Sequence, residues 1–284
     1  MTFVSKQYRA KRKIRVTFRK LTSSFRILPS FIIFGAPRCG TTSLYNYLIQ
    51  HPSIVLALSK EIGYFEFDYK RGINWYKQYF PLAFEKYGIR KPYRDYFMTG
   101  EATANYIHHP RVPEIIKRDL PNVKLIVMLR NPIDRAFSQF FKQVKQGREE
   151  LSFESAIEKE ESRINGETEK MFADSNYYSL NYHNYSYLTA GKYYDRLKLW
   201  FKQFPKDQIH VIKSEDFYEE SNLIYNKTLE FLKLPKWELE KYQKHNYFLD
   251  KPDLKTETRQ KLSEYFRPHN EKLYDLLGID FEWN

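Results

Sequence analysis

The segment Gly35-Ala36-Pro37-Arg38-Cys39-Gly40-Thr41-Thr42 has residue types that together suit the holding of an anion. Gly40 permits a tight turn in which successive N–H groups point inward. A helix starting just after it adds roughly half a positive charge at its N-terminus. Thr41 and Thr42 bring hydroxyl donors, and Arg38 brings a fixed charge on a planar fork. In a nucleoside-triphosphate loop a Lys precedes the Ser or Thr. Here Gly40 precedes Thr41 and the cation sits earlier, at Arg38, which argues against an ordinary ATPase. The plainer alternative is a glycine turn between a strand and a helix.

Other residues invite chemistry. Arg130 closes an apolar run, at the sheet edge where α/β folds bind ligands. Ser138 lies about two helical turns beyond it. Arg130 could equally pair with a carboxylate such as Asp134. Glu61 follows Lys60 and precedes Tyr64, Phe65 and Phe67, aromatic residues able to wall it in. A buried carboxylate acquires the raised pKa that a general base needs near neutrality; the alternative is a surface Lys60–Glu61 pair. His108 and His109 are adjacent rather than at helical spacing, and Cys39 is the one cysteine, so no metal site is expected. No Ser-His-Asp triad stands out.

The elements that must carry these groups follow from the apolar pattern. Phe31 to Phe34 is a short buried strand, and Thr42 to Gln50 a helix with Leu44, Tyr47 and Leu48 on one face. Ile54 to Leu58 reads as a second strand. Val123 to Leu129 is the strongest strand, apolar almost throughout, as a parallel strand covered on both faces should be. Asn131 and Pro132 make an N-cap and first helical residue, and that helix closes at Gly147. Helices are expected over Phe153–Ile164, Tyr187–Phe204, Asn222–Leu232 and Thr256–Leu277, the last broken near Pro268, with a strand at Ile209–Ile212. Strands alternating with helices predict one α/β domain: a parallel sheet with helices on both faces. The Tyr-rich stretch from Asp174 to Lys192 either lines a cleft or packs on the body.

The formal net charge is +12 over 284 residues. Met1 to Arg26 holds nine Lys or Arg and no acid, leaving only +3 for the remainder. This divides the chain into a basic leader, 1–26, and a nearly balanced domain, 27–284. Such a leader suits a solvated tail or a weak contact with an anionic membrane surface. No apolar run approaches transmembrane length and the N-terminus lacks a secretory core, so a cytoplasmic enzyme, peripheral at most, is expected.

Taken in order, the motifs resemble the PAPS-dependent sulfotransferases (PAPS is 3′-phosphoadenosine 5′-phosphosulfate). The likeness is greatest to the carbohydrate branch with the heparan-sulfate N- and 3-O-sulfotransferases and their microbial relatives. It runs from Phe31 to the C-terminus through the phosphate loop, Ser59-Lys60-Glu61-Ile62-Gly63-Tyr64-Phe65 and Gly72-Ile73-Asn74-Trp75-Tyr76. It continues with Gly100-Glu101-Ala102-Thr103-Ala104-Asn105-Tyr106, Leu129-Arg130-Asn131-Pro132 with Arg135 and Ser138, and Ala190-Gly191-Lys192-Tyr193. It ends with Lys251-Pro252-Asp253-Leu254 and Tyr265-Phe266-Arg267-Pro268-His269-Asn270. The resemblance implies that Arg38, Cys39, Gly40, Thr41 and Thr42 hold the phosphosulfate, with Arg38 where many members have a catalytic Lys or Arg. It implies that Arg130 and Ser138 hold the 3′-phosphate, a group ATP lacks, and that Glu61 takes the acceptor proton. Lys251 is placed toward the nucleotide from the C-terminal side.

Two positions depart from the heparan 3-O pattern: Gly63 stands where those enzymes have His, and Ala102 where they have Lys. The branch's structural disulfide cannot form with one cysteine, which argues against heparan itself as substrate. Lys60, His108 or His109 are the candidates to assist instead. The expected reaction is sulfuryl transfer from PAPS, without metal, to a hydroxyl or amine on a glycan, a glycolipid or a small molecule. The rival readings are an ATP-dependent kinase on the same scaffold, and a basic adaptor for nucleic acid or membrane.

Overall fold

A computed structural model describes residues 17–242 and 252–283. Its centre is a four-stranded sheet, all parallel, in the order β2-β1-β3-β4. β1 is Phe31–Gly35, β2 Gly100–Ala102, β3 Lys124–Leu129 and β4 Ile209–Lys213. Every residue of β1 and β2, and all of β3 after Lys124, is buried. Successive side chains point to opposite faces, so burial of all of them means that both faces are covered. The main helices are α1 Thr41–Leu48, α2 Val112–Asp119, α3 Pro132–Lys145, α4 Tyr193–Gln203, α5 Ser221–Phe231 and α6 Thr256–Leu277.

The α/β expectation holds, as does the start of α3: the Asn131 side chain accepts from the Ile133 N–H at 3.0 Å, with Pro132 first in the helix. The core is aromatic. Phe34 of β1 stacks on Trp200 of α4 with centroids 3.8 Å apart, tying the central strand to a covering helix.

Three local expectations need correction. Ile54–Leu58 is not a strand. Ile54 makes a single bridge to Met98, after which Leu56 and Leu58 are exposed as the chain swings out toward Lys60. The edge strand beside β1 is β2, whose Gly-Glu-Ala has no strand-like composition; its register, Phe31 opposite Gly100, comes from pairing with β1. The helix expected from Tyr187 begins only at Tyr193. Glu160 accepts from the N–H groups of Leu188 and Thr189 at 2.6 and 2.7 Å and holds that stretch as an irregular turn. α6 runs unbroken through Pro268. A proline removes one N–H and crowds one carbonyl, and burial of Leu262, Phe266, Asn270 and Leu273 on either side outweighs that loss.

Candidate active site

β1 ends at the predicted phosphate loop, and the local backbone explains its sequence. Gly40 sits at φ 97°, where an L side chain is strained, and a Cβ there would lie 2.9 Å from the Tyr218 hydroxyl. The turn delivers the chain into α1 with Gly40 as its N-cap, and the first N–H groups of a helix have no acceptor within it. Thr41 and Thr42 line the cleft outside it. The Cys39 thiol is fully buried, 3.7 Å from the Tyr193 hydroxyl, and burial pushes its pKa up to about 11. Cys39 therefore serves the loop through its backbone, its carbonyl accepting from Ser214 Oγ at 2.9 Å.

Arg38, itself at φ 72°, reaches across to α3 and donates from Nε to Ser138 Oγ at 3.0 Å. The loop and the second predicted anion subsite therefore adjoin. Burial lowers the pKa of Arg38, and the nearby positive charge of Arg130 lowers it further. Two cations gathered at the edge of a sheet favour the arrival of an anion. Asp134 pairs with Arg259 at 2.7 Å rather than with Arg130. The Arg130 carbonyl accepts from the Tyr193 hydroxyl at 2.8 Å, and the next N–H, of Asn131, donates to Glu215 at 2.9 Å; these bonds fix the strand end.

A cleft of about 960 Å³ opens beside the loop, lined by Arg38, Thr41 and Thr42 on one side and by Lys60, Glu61 and Asn105 on another. Glu61 is in the cleft, but not walled in as expected. Its side chain is 51% exposed and pairs with Lys60 at 2.5 Å, while its other oxygen accepts from the Ala104 N–H at 3.3 Å. Tyr64 and Phe65 turn into the core, Tyr64 stacking on Tyr76 and Phe65 meeting it edge to face; of the three aromatics only Phe67 reaches the cleft. A Cβ at Gly63 would lie 2.2 Å from the Phe67 ring, so that ring fills the place a side chain at 63 would take. Of the proposed assistants, Lys60 is in place. His108 faces a small side chamber of about 110 Å³, and burial keeps its pKa well below the usual imidazole value. His109 is buried, with its pKa lowered to about 4 by burial and then by Arg111. Lys251 lies outside the described residues.

A family model described as "Sulfotransferase domain" matches residues 28–276. The chain belongs to the sulfotransferase family. It is 28% identical to "Membrane-associated sulfotransferase kil1" of Dictyostelium discoideum, over 90% of this chain and 66% of that protein. It is 27% identical to human "Heparan sulfate glucosamine 3-O-sulfotransferase 5", over 90% of this chain and 74% of that one. A crystal structure of a sulfotransferase from Alicyclobacillus acidocaldarius superposes with TM-score 0.70 at 27% identity, covering 90% of this chain and 99% of that one.

In this sulfotransferase several cleft residues escaped the reading of the sequence. Lys142 and Lys145 follow Ser138 on α3 at i+4 and i+7, the spacing of one helical face, and both line the cleft. Burial, with Arg38 close by, lowers the Lys142 pKa. Glu66 also borders the cleft, is buried and hydrogen-bonds His183 Nε2. From the Tyr-rich stretch Tyr178 lines the cleft, with its ring 5.1 Å from Phe67 and 4.2 Å from His183. Tyr182 and Tyr187 are buried and bond to Arg196 and Glu149. Among the described residues no group of His, Cys, Asp and Glu is arranged to hold a metal.

Proposed function

We propose that this sulfotransferase moves the sulfuryl group of PAPS to a hydroxyl or amine of a carbohydrate-bearing acceptor by in-line displacement, with Glu61 as general base. The contact between Arg38 and Ser138 carries the reading. It joins an anion cradle at a helix N-terminus to a second set of cationic and hydroxyl donors, Arg130 with Ser138, as a nucleotide charged at both ribose ends requires. The cradle, with Arg38, Cys39, Gly40, Thr41 and Thr42, would hold the 5′-phosphosulfate. Arg130 and Ser138 would hold the 3′-phosphate, with Lys251 toward the nucleotide. As the S–O bond to the phosphate breaks, negative charge grows on that phosphate, where Arg38 and the loop amides stabilise it. Glu61 accepts the proton of the attacking group, with Lys60 paired to its Oε1 at 2.5 Å. Phe67 and Tyr178 offer apolar ring faces for a sugar, and Lys142 and Lys145 favour an acceptor that carries negative charge.

The test is transfer of labelled sulfate from PAPS to glycans, glycolipids and small alcohols, with and without EDTA. Transfer to at least one sugar-bearing acceptor, unchanged by EDTA, is expected. Transfer to small alcohols alone, or complete loss in EDTA, would contradict it.

A weak contact with an anionic membrane surface belongs to the same proposal. Phe18, Leu21 and Phe25 are exposed beside Lys20, whereas Arg19 and Arg26 donate to the carbonyls of Gln78 and Phe80 and hold this segment to the body. The rest of the basic leader, residues 1–16, lies outside the described residues. Among the described residues no helix is long and apolar enough to cross a membrane. Deleting residues 1–16 should weaken flotation with phosphatidylserine vesicles and leave nucleotide affinity within twofold; unaltered flotation removes the leader from the account.

A further inference from the structure

Glu101 lies in β2 at 0% exposure, at the base of the wall that carries Glu61. A carboxylate this deep is costly unless its oxygens are well supplied with donors. Three hydroxyls supply them: Tyr76, Tyr106 at 3.2 Å and Thr103 at 2.5 Å. Thr103 Oγ1 in turn accepts from the N–H groups of Ile62 and Gly63, at 3.1 and 3.2 Å. Those are the two amides that follow Glu61, and the N–H that Glu61 itself accepts belongs to Ala104, the neighbour of Thr103. One unbroken set of hydrogen bonds thus runs from a buried carboxylate to the peptide that presents the base.

We propose that Glu101 is a positioning residue for Glu61: as a carboxylate it fixes the Thr103 hydroxyl, and through Thr103 the Ile62 and Gly63 amides, and its protonation releases that hold. This rests on Glu61 being the base. The donor count supports it. An ionised carboxylate only accepts, and three donors point at this one; Thr103 has spent its proton on Glu101 and its lone pairs on the two amides. A proton on Glu101 adds a fourth donor, so one hydroxyl loses its acceptor. The titratable groups facing Glu101 are Tyr76, Tyr106, Tyr45 of α1 and Glu61. The tyrosines are held neutral by burial. Glu101 is pushed up to about 7, first by burial and with a contribution from the Glu61 charge, so the release falls in the neutral range.

The experiment uses the full chain bound to 3′-phosphoadenosine 5′-phosphate, with ¹³C-labelled glutamate carboxyls and ¹⁵N amides, titrated from pH 5.5 to 8.5 by NMR. One carboxyl that disappears in Glu101→Gln should titrate near neutrality, and the Gly63 amide should follow it with the same midpoint. Thr103→Val should keep the carboxyl titration and uncouple the amide. In transfer assays with an acceptor found by the sulfate screen, Glu101→Gln at pH 8 should lose about tenfold in kcat, keep its nucleotide affinity within twofold and lose the neutral inflection. A Gly63 amide that stays still while Glu101 titrates would overturn the proposal, as would an unchanged pH profile in Glu101→Gln. Full activity of Glu61→Gln would instead remove the base on which the proposal rests.

Discussion

At the scale of single residues, the proposed mechanism separates groups that bind charge from the group that moves a proton. Glu61→Gln keeps the shape and loses the base, so turnover should fall by about 10²–10⁴-fold while the affinity for 3′-phosphoadenosine 5′-phosphate holds. Labelled-sulfate transfer with parallel calorimetry checks this, and normal turnover removes Glu61 from the mechanism. Arg130→Ala should weaken that nucleotide by about 10- to 100-fold, the worth of a charged hydrogen bond, and weaken its 3′-dephosphorylated form much less. Equal weakening of both would make Arg130 structural. The loop was legible because glycine, cation and hydroxyls stand together in the chain. Lys142 and Lys145 were legible in principle, as the i+4 and i+7 neighbours of Ser138. Glu66 with His183 was not, because its partners lie 117 residues apart and nothing local marks either one.

At the scale of elements, backbone conformation and pairing place those residues. Gly40→Ala puts a side chain at φ 97° against Tyr218, and should cost about 1–3 kcal/mol in urea unfolding together with much of the nucleotide affinity. An unchanged affinity would mean that the cradle does not need this turn. β1 and β3 could be read from their apolar runs, since a strand buried on both faces has little freedom of composition. β2 could not: three residues, one of them Glu101, become a strand only because β1 lies alongside. Ile54–Leu58 shows the converse. Its composition is strand-like, yet one bridge to Met98 is all the pairing it finds. The expected break at Pro268 failed for a similar reason, as long-range packing outweighed a local rule. The aromatic wall around Glu61 was misjudged because adjacency in sequence does not say which way a ring turns; Tyr64 and Phe65 entered the core.

At the scale of the whole molecule, buried titratable groups set how stability depends on pH. Burial keeps His109 and His210 neutral down to about pH 4, and holds the His108 pKa well below the usual imidazole value. Unfolded histidine takes its proton near pH 6.5, so below that the unfolded chain binds more protons and stability falls. Glu101 acts in the opposite sense, since between about pH 7 and 4.5 the folded protein holds a proton that the unfolded chain releases. Three histidines outweigh one carboxylate. Urea unfolding should therefore show a net loss of stability from pH 7.5 to pH 5, and a larger loss in Glu101→Gln. Greater stability at pH 5 would reverse that ledger. A doubly phosphorylated adenosine is the proposed ligand on which the rest of the account depends. Calorimetric titration of the full chain with 3′-phosphoadenosine 5′-phosphate, beside ADP and Mg·ATP, tests that most directly. At least tenfold tighter binding of the 3′-phosphorylated nucleotide without metal is expected, and equal or tighter binding of Mg·ATP would contradict the account.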